Sequence, residues 1–209
     1  MTNVKICGIT RLEDATWAAE CGAYALGFNF FIESPRYLTP IAAREICREM
    51  HGPVLKVGVF VNSSVADVLE AAEGAGLDVI QLHGDETPEY VSALRARTNM
   101  KLMKAFRVSD SVDTQFMRKF DIDASLLDVR STKGYGGTGE VFDWNIARNA
   151  AAEISNLYLA GGLCPENVAE AISIVRPFAV DVASGVESAQ GIKDPERVKR
   201  FIEAVRSTI

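Results

Sequence analysis

At 209 residues and 22.7 kDa, with 48% hydrophobic and 24% charged residues, the chain has the balance of one soluble globular domain over 1–209. That balance argues against disorder, a collagen-like repeat or a small disulfide scaffold. The formal net charge is −6 and the basic residues are scattered, so no broad surface for nucleic acid is expected and an anionic ligand needs a locally positive pocket. No apolar run approaches the ~18 to 20 residues of a membrane span, and no export leader is expected. Four cysteines without a C-x-x-C pair, and only two histidines, His51 and His83, point to a reduced cytoplasm and away from a metal centre.

In chain order, short β-branched or apolar runs alternate with amphipathic stretches about eight times, at about 26 residues per unit. The predicted strands are Val4 to Gly8, Ala25 to Phe30, Leu55 to Val61, Val79 to His83, Leu102 to Phe106, Ser125 to Val129, Leu157 to Ala160 and Ala179 to Ala183. Most are nearly continuously apolar, as strands covered on both faces should be. Between them, one apolar stripe recurs at helical spacing: Ala43, Ile46, Cys47, Met50; Val65, Val68, Leu69, Ala72; Val168, Ala171, Ile172, Val175; and Val198, Phe201, Ile202, Val205. Pro40, Pro88, Pro165 and Pro195 sit where a first helical residue is expected, three of them after Thr39, Thr87 or Asp194 as N-cap. Thr10 with Glu13 reads as a capping box, and Trp17 and Trp144 are expected to pack.

Strands alternating with helices pair in parallel through crossovers, and eight units close into a (β/α)8 TIM barrel with its chemistry at the C-terminal strand ends. The alternative is an open doubly wound sheet, against which stands the lack of a G-x-G-x-x-G after the first strand. The strand ends carry Cys7-Gly8, Asn29, Gln81 with His83, Asp128, Gly161-Gly162 and Ser184-Gly185. Cys7 is either a small core residue or a thiol at the barrel mouth; use as a base needs a nearby positive field, since a free thiol near pKa ~8.5 is mostly protonated at neutral pH. Asp128 ends an apolar strand and either caps the next loop or serves as a general acid whose pKa is raised in a dry mouth. Gly161-Gly162 and Ser184-Gly185 follow strands seven and eight, the usual phosphate loops of such barrels, although each glycine alone also suits a plain turn. Gly134 to Gly139 reads as a lid. Arg36 is a bidentate carboxylate donor or a solvated arginine, and His83 a ligand contact or a rim histidine bonded to its own loop.

Together these segments resemble the phosphoribosylanthranilate isomerase family of tryptophan biosynthesis over essentially the whole chain. The resemblance rests on Lys5-Ile6-Cys7-Gly8-Ile9-Thr10, Ser34-Pro35-Arg36-Tyr37, Val57 to Asn62, Gln81-Leu82-His83-Gly84 and Leu126-Leu127-Asp128. It continues through Tyr135 to Gly139, Phe142-Asp143-Trp144, Gly161-Gly162-Leu163 and Val180 to Glu187. It implies an Amadori rearrangement without cofactor or metal, acting on a small molecule with phosphate and carboxylate groups. Asp128 is implied as general acid and Cys7 as general base. Arg36 is implied to hold the carboxylate, and Gly161, Gly162, Ser184 and Gly185 the phosphate; Gln81 and His83 are expected at the substrate. A monomer is expected, with a homodimer as the alternative, and no nucleic-acid or membrane partner. Two rivals are the analogous isomerisation of histidine biosynthesis, against which Cys7 stands because those barrels use a carboxylate base, and a non-catalytic phosphate-binding barrel.

Overall fold

Eight parallel strands, hydrogen-bonded in chain order and closed by pairing of the first with the last, form the centre of the computed structural model, which describes residues 1–108, 111–129 and 144–208. They are β1 Asn3–Cys7, β2 Ala25–Asn29, β3 Leu55–Phe60, β4 Val79–Leu82, β5 Lys101–Val108, β6 Ala124–Val129, β7 Leu157–Ala160 and β8 Ala179–Val182. The helices are α1 Leu12–Cys21, α2 Pro40–Glu49, α3 Val65–Ala75, α4 Pro88–Arg95, α5 Thr114–Met117, α6 Trp144–Glu153, α7 Val168–Val175 and α8 Pro195–Arg206.

The two-residue period of a strand explains why these runs are apolar throughout. One set of residues, including Ala25, Val57, Val79, Met103, Leu126, Tyr158 and Ala179, fills the barrel interior. The alternate set, including Ile6, Phe28, Ile80, Leu127 and Val180, faces outward and packs with the helix stripes. Of those stripes, all four positions in α7 and in α8 are buried, whereas Met50 ends α2 half-buried. Thr39, Thr87 and Asp194 cap their helices as expected, accepting from the backbone N–H of Ala42 (3.2 Å), Tyr90 (3.3 Å) and Arg197 (3.0 Å).

Three local expectations fail. Thr10 caps nothing: α1 begins at Leu12 after Arg11, and the Thr10 hydroxyl donates to the Gly191 carbonyl. The first turn of α1 is tied instead by buried Asp14, which accepts from the Arg11 guanidinium and from the Lys193 backbone N–H at 3.0 Å. Pro165 lies in a turn, and α7 starts only at Val168, because the Asn167 side chain accepts from the Cys164 N–H (2.8 Å) and donates to the Gly162 carbonyl (3.1 Å), holding the loop before the helix begins. Trp17 is 37% exposed, since Asp14, Ala15 and Ala18 define the buried face of α1 and residue 17 falls beside it. A feature absent from the strand pattern also appears: an antiparallel hairpin, β9 Glu187–Ala189 with β10 Ile192–Lys193, between β8 and α8.

Candidate active site at the C-terminal rim

Cys7 is the last residue of β1 and points inward, because Lys5, two residues earlier, pairs in register with Ala25 of the interior set. Lys5 therefore lies directly beneath it on the same face. Its Nζ bonds Asp181 Oδ1 of β8 at 2.8 Å, and neither residue is accessible beyond 8%. Gly27 of β2, in register with Cys7, makes room for both heads: a Cβ added there would lie 2.7 Å from Cys7 Sγ and 3.1 Å from Lys5 Nζ. The backbone of Gly27 is not left-handed, so the glycine serves space and not a turn. Burial pushes the Cys7 thiol above its ordinary value, and the Lys5 ammonium is the main opposing influence. Burial also works against the Lys5 charge, but Asp181 and Cys7 outweigh it and keep the ammonium protonated beyond the ordinary lysine range.

Arg36 reaches the same corner from the loop between β2 and α2. Its side chain lies across Gly8, which has φ +75 and no space for a Cβ beside the Arg36 methylenes. Nε and Nη2 donate to the two carboxylate oxygens of Glu187 at 2.7 and 2.6 Å, a bidentate pair. Among the described residues Nη1 has no hydrogen-bond partner. Glu187 Oε1 also accepts from Lys193 Nζ at 2.9 Å. Burial alone raises the Glu187 pKa, yet the hydrogen bonds from Arg36 and Lys193 outweigh it and hold the carboxyl below its ordinary range. The arginine is thus neither solvated nor free; the β9–β10 hairpin supplies the anion and the lysine that orient it.

Around the barrel, β6 stands three strands from β1. Asp128 is 5% exposed, shares the interior face with Leu126, and lies near the end of β6, so it faces the same mouth as Cys7. Its Oδ2 is 3.4 Å from His83 Nε2, and His83 Nδ1 is 3.0 Å from Gln81 Nε2. With the glutamine donating, Nδ1 accepts and the ring proton sits on Nε2, directed at Asp128. Gln81 Oε1 is buried with no partner among the described residues, a cost of roughly 1–3 kcal/mol. The loop that carries His83 is fixed from outside the barrel: Glu86 accepts from the N–H groups of Asn62 (2.9 Å) and Gly84 and pairs with Lys104 at 3.1 Å, while Lys104 also donates to the Gly84 carbonyl.

Gly161 and Gly162 turn the chain after β7 with φ 99 and 65, and the space beside Gly162 is open. Ser184 and Gly185 begin a 3-10 turn after β8, where a side chain on Gly185 would meet the Leu163 carbonyl, so the two loops touch only because this residue is glycine. None of the loop hydrogen bonds among the described residues uses the N–H of Gly162, Ser184 or Gly185 as donor. The lid expected at Gly134 to Gly139 lies outside the described residues. Clockwise or not, the order around the rim is fixed by the strand order: glycine loops on β7 and β8, Cys7 on β1, Arg36 after β2.

A family model described as N-(5'-phosphoribosyl)anthranilate (PRA) isomerase matches residues 4–204. The chain belongs to this isomerase family. The N-(5'-phosphoribosyl)anthranilate isomerase of Citrifermentans bemidjiense is 50% identical over 202 residues, covering 97% of this chain and 96% of the relative. That of Geobacter sulfurreducens is 50% identical over 206 residues, covering 99% of each. The solved phosphoribosyl anthranilate isomerase of Thermotoga maritima superposes with a TM-score of 0.88 at 43% identity, covering 99% of this chain and all of that one. A phosphoribosyl anthranilate isomerase solved in complex with reduced 1-(o-carboxyphenylamino)-1-deoxyribulose 5-phosphate gives 0.85 at 40%, with 99% and 100% covered. Like its relatives, this isomerase is an enzyme built on the TIM barrel.

Sequence reasoning brought Cys7, Asp128, Arg36, Gln81, His83 and the four loop residues to one rim but passed over Lys5, Asp181, Glu187 and Lys193. Lys5 and Asp181 had a usable signal: each is a charge in the middle of an apolar strand, the same observation that singled out Asp128. Glu187 and Lys193 had none, because their pairing depends on a hairpin that no periodicity announced.

Proposed function

We propose that this mouth catalyses the Amadori rearrangement of N-(5'-phosphoribosyl)anthranilate to 1-(2-carboxyphenylamino)-1-deoxyribulose 5-phosphate, in cytoplasmic tryptophan biosynthesis. The observation that carries the reading is the placement of a thiol and a carboxyl group on the inner face of one rim, three strands apart, with the glycine loops after β7 and β8 and Arg36 after β2 on the same rim. The substrate phosphate lies on the N–H groups of the Gly161-Gly162 and Ser184-Gly185 loops, and its anthranilate carboxylate takes the Nη1 edge of Arg36. Order along the substrate then matches order around the rim, phosphate at β7 and β8, reacting sugar carbons at β1, aromatic acid at β2. Holding both ends orients the sugar between base and acid, which is worth several powers of ten in such reactions.

Asp128, protonated, gives its proton to the furanose ring oxygen as the C1'–O bond breaks and the anthranilate nitrogen lone pair forms the C=N bond of an iminium. The Cys7 thiolate removes the C2' proton; that bonding pair becomes the C1'=C2' double bond and the C=N π pair returns to nitrogen. The enolamine then loses its enolic O–H proton and gains one at C1', giving the ketone, so product is an isomer of substrate and no electron is exchanged with a cofactor. Gln81 and His83 hold the acid in place: with Gln81 Nε2 donating to His83 Nδ1, the ring turns Nε2 toward Asp128 Oδ2 and keeps the carboxyl directed into the mouth.

The test is direct. Substrate formed in situ from anthranilate and phosphoribosyl pyrophosphate by a transferase should lose its fluorescence once this protein is added, and unchanged fluorescence would refute the reading. The kcat/KM profile should be bell-shaped, its two limbs belonging to the acid and base as a coupled pair; a flat profile between about pH 5 and 9 would count against acid-base chemistry in the limiting step. The monomer expected from sequence is checked by light scattering against the chain mass of 22.7 kDa; one solved relative, from Thermotoga maritima, is described as dimeric.

A further inference from the structure

The base has a neighbour whose placement exceeds what a structural ion pair requires. A buried lysine paired with a buried aspartate is satisfied as it stands and needs no empty space beside it. Here Gly27 leaves that space, and both Lys5 Nζ and Cys7 Sγ border it, each about 3 Å from the point where a Cβ would sit. The two atoms are therefore less than about 6 Å apart, inside the range over which an ammonium acts strongly on a titrating group. Period-two geometry makes the stacking obligatory, since residues 5 and 7 of one strand share a face.

We propose that Lys5, anchored by Asp181 and facing Cys7 Sγ across Gly27, is a positioning residue for the base: its ammonium supplies the counter-charge that offsets the burial of the thiolate within the barrel. This rests on Cys7 as the base. The charged groups that face Cys7 from every packed element are Lys5 on β1, Asp181 on β8, Arg36 after β2, and Lys193 on β10 with its partner Glu187 on β9. Tyr158 of β7 lies lower in the barrel, within reach of Lys5 and Asp181, and burial keeps its phenol protonated well past the ordinary range. Among these described groups three are cations and two are carboxylates, so the corner is one positive charge in excess while the sulfur is a thiol and balanced when it is a thiolate. Lys5 outweighs Lys193 in favouring the thiolate, and Asp181 acts on the sulfur in the opposite sense while holding Lys5 in place.

That opposition makes the proposal testable, because a pair that serves only stability loses in the same direction whichever partner is removed. Alkylation of Cys7 by iodoacetamide, read by mass spectrometry of its peptide across pH, reports the thiolate without reference to substrate. In Lys5→Met the midpoint of the rate–pH curve should move up and the rate at pH 7 fall at least about tenfold. In Asp181→Asn the midpoint should move down. Lys5→Arg should restore most of the loss, and Gly27→Ala, which drives Sγ and Nζ apart, should resemble Lys5→Met. Where Lys5→Met does not fold, the charge-free Lys5→Met/Asp181→Asn double variant takes its place, with a smaller upward shift expected because the two opposed influences are removed together. An unmoved midpoint in these variants, or shifts of one sign for Lys5→Met and Asp181→Asn, overturns the proposal whatever the turnover. A shifted midpoint with wild-type kcat in Lys5→Met would instead overturn Cys7 as the base and leave the coupling of Lys5 to the sulfur standing.

Discussion

The two sides of the barrel mouth are built from different chemistry. On the β1, β2 and β8 side, Cys7 lies among fixed charges: Lys5 on Asp181, and Arg36 with Lys193 on Glu187. On the β4 and β6 side, Asp128 faces a histidine and a glutamine joined in a chain of hydrogen bonds. The difference suits the two proposed tasks. A base must be able to give up its proton, and nearby cations lower the cost of the anion that burial raises. An acid must hold a proton and then part with it, and the hydrogen-bonded chain of Gln81 and His83 keeps the carboxyl directed into the mouth while it does so.

The largest effects should come from deleting the reacting groups themselves. Cys7→Ala and Asp128→Ala are each expected to lower kcat by roughly 10² to 10⁴ while product-analogue binding stays largely intact, and near-native turnover in either variant would remove that residue from its role. Next, Arg36→Lys exchanges a two-pronged donor for a single ammonium and breaks the fit to Glu187. A lost charge-assisted bond of about 1.5–3 kcal/mol corresponds to a KM raised at least tenfold, with a smaller change in kcat. A KM unmoved by this substitution would place the substrate carboxylate elsewhere. Smaller still, His83→Ala should cost about tenfold in kcat and leave the pH dependence of Cys7 alkylation untouched, because its influence belongs to the other side of the mouth. An altered Cys7 profile in that variant would erase the distinction between the two sides.

How much of this was legible follows from how each feature is encoded. The barrel was readable because its strands are buried on both faces and its helices on one, two patterns that differ locally in sequence. Strand boundaries came within a residue or two at all eight C-terminal ends, since polar residues such as Asn29 and His83 mark where the apolar wall stops. Thr10 and Pro165 misled because a hydroxyl or a proline near a helix start fits either a cap or the turn before it, and contacts from Gly191 and Asn167 decided the matter. Arg36 was identified but not its partner, for Glu187 is 151 residues away and meets it through a hairpin whose pairing is tertiary. What escaped sequence reading is thus long-range charge pairing, while Cys7, Asp128, Gln81 and His83 stood at or near strand ends where topology already directed attention.

The smallest effect expected concerns stability, and it separates the sides again. Glu187 is held ionised by Arg36 and Lys193 despite its burial, so its folded pKa lies below the unfolded one. A depressed carboxyl contributes stability that is complete above the ordinary carboxylate range, near pH 4.3, and fades as pH falls through the lower folded value. Glu187→Gln removes that contribution and leaves two cations unpaired at neutral pH. Urea unfolding at pH 7 should therefore show the variant less stable than the parent, and the gap should narrow as the parent's own Glu187 becomes protonated toward pH 3. The Gln81→Met variant, which removes the hydrogen bond to His83 and no fixed charge, should show no such narrowing between the same two pH values. A gap for Glu187→Gln that stays constant with pH would mean that the carboxylate is held by packing and not by its two cations.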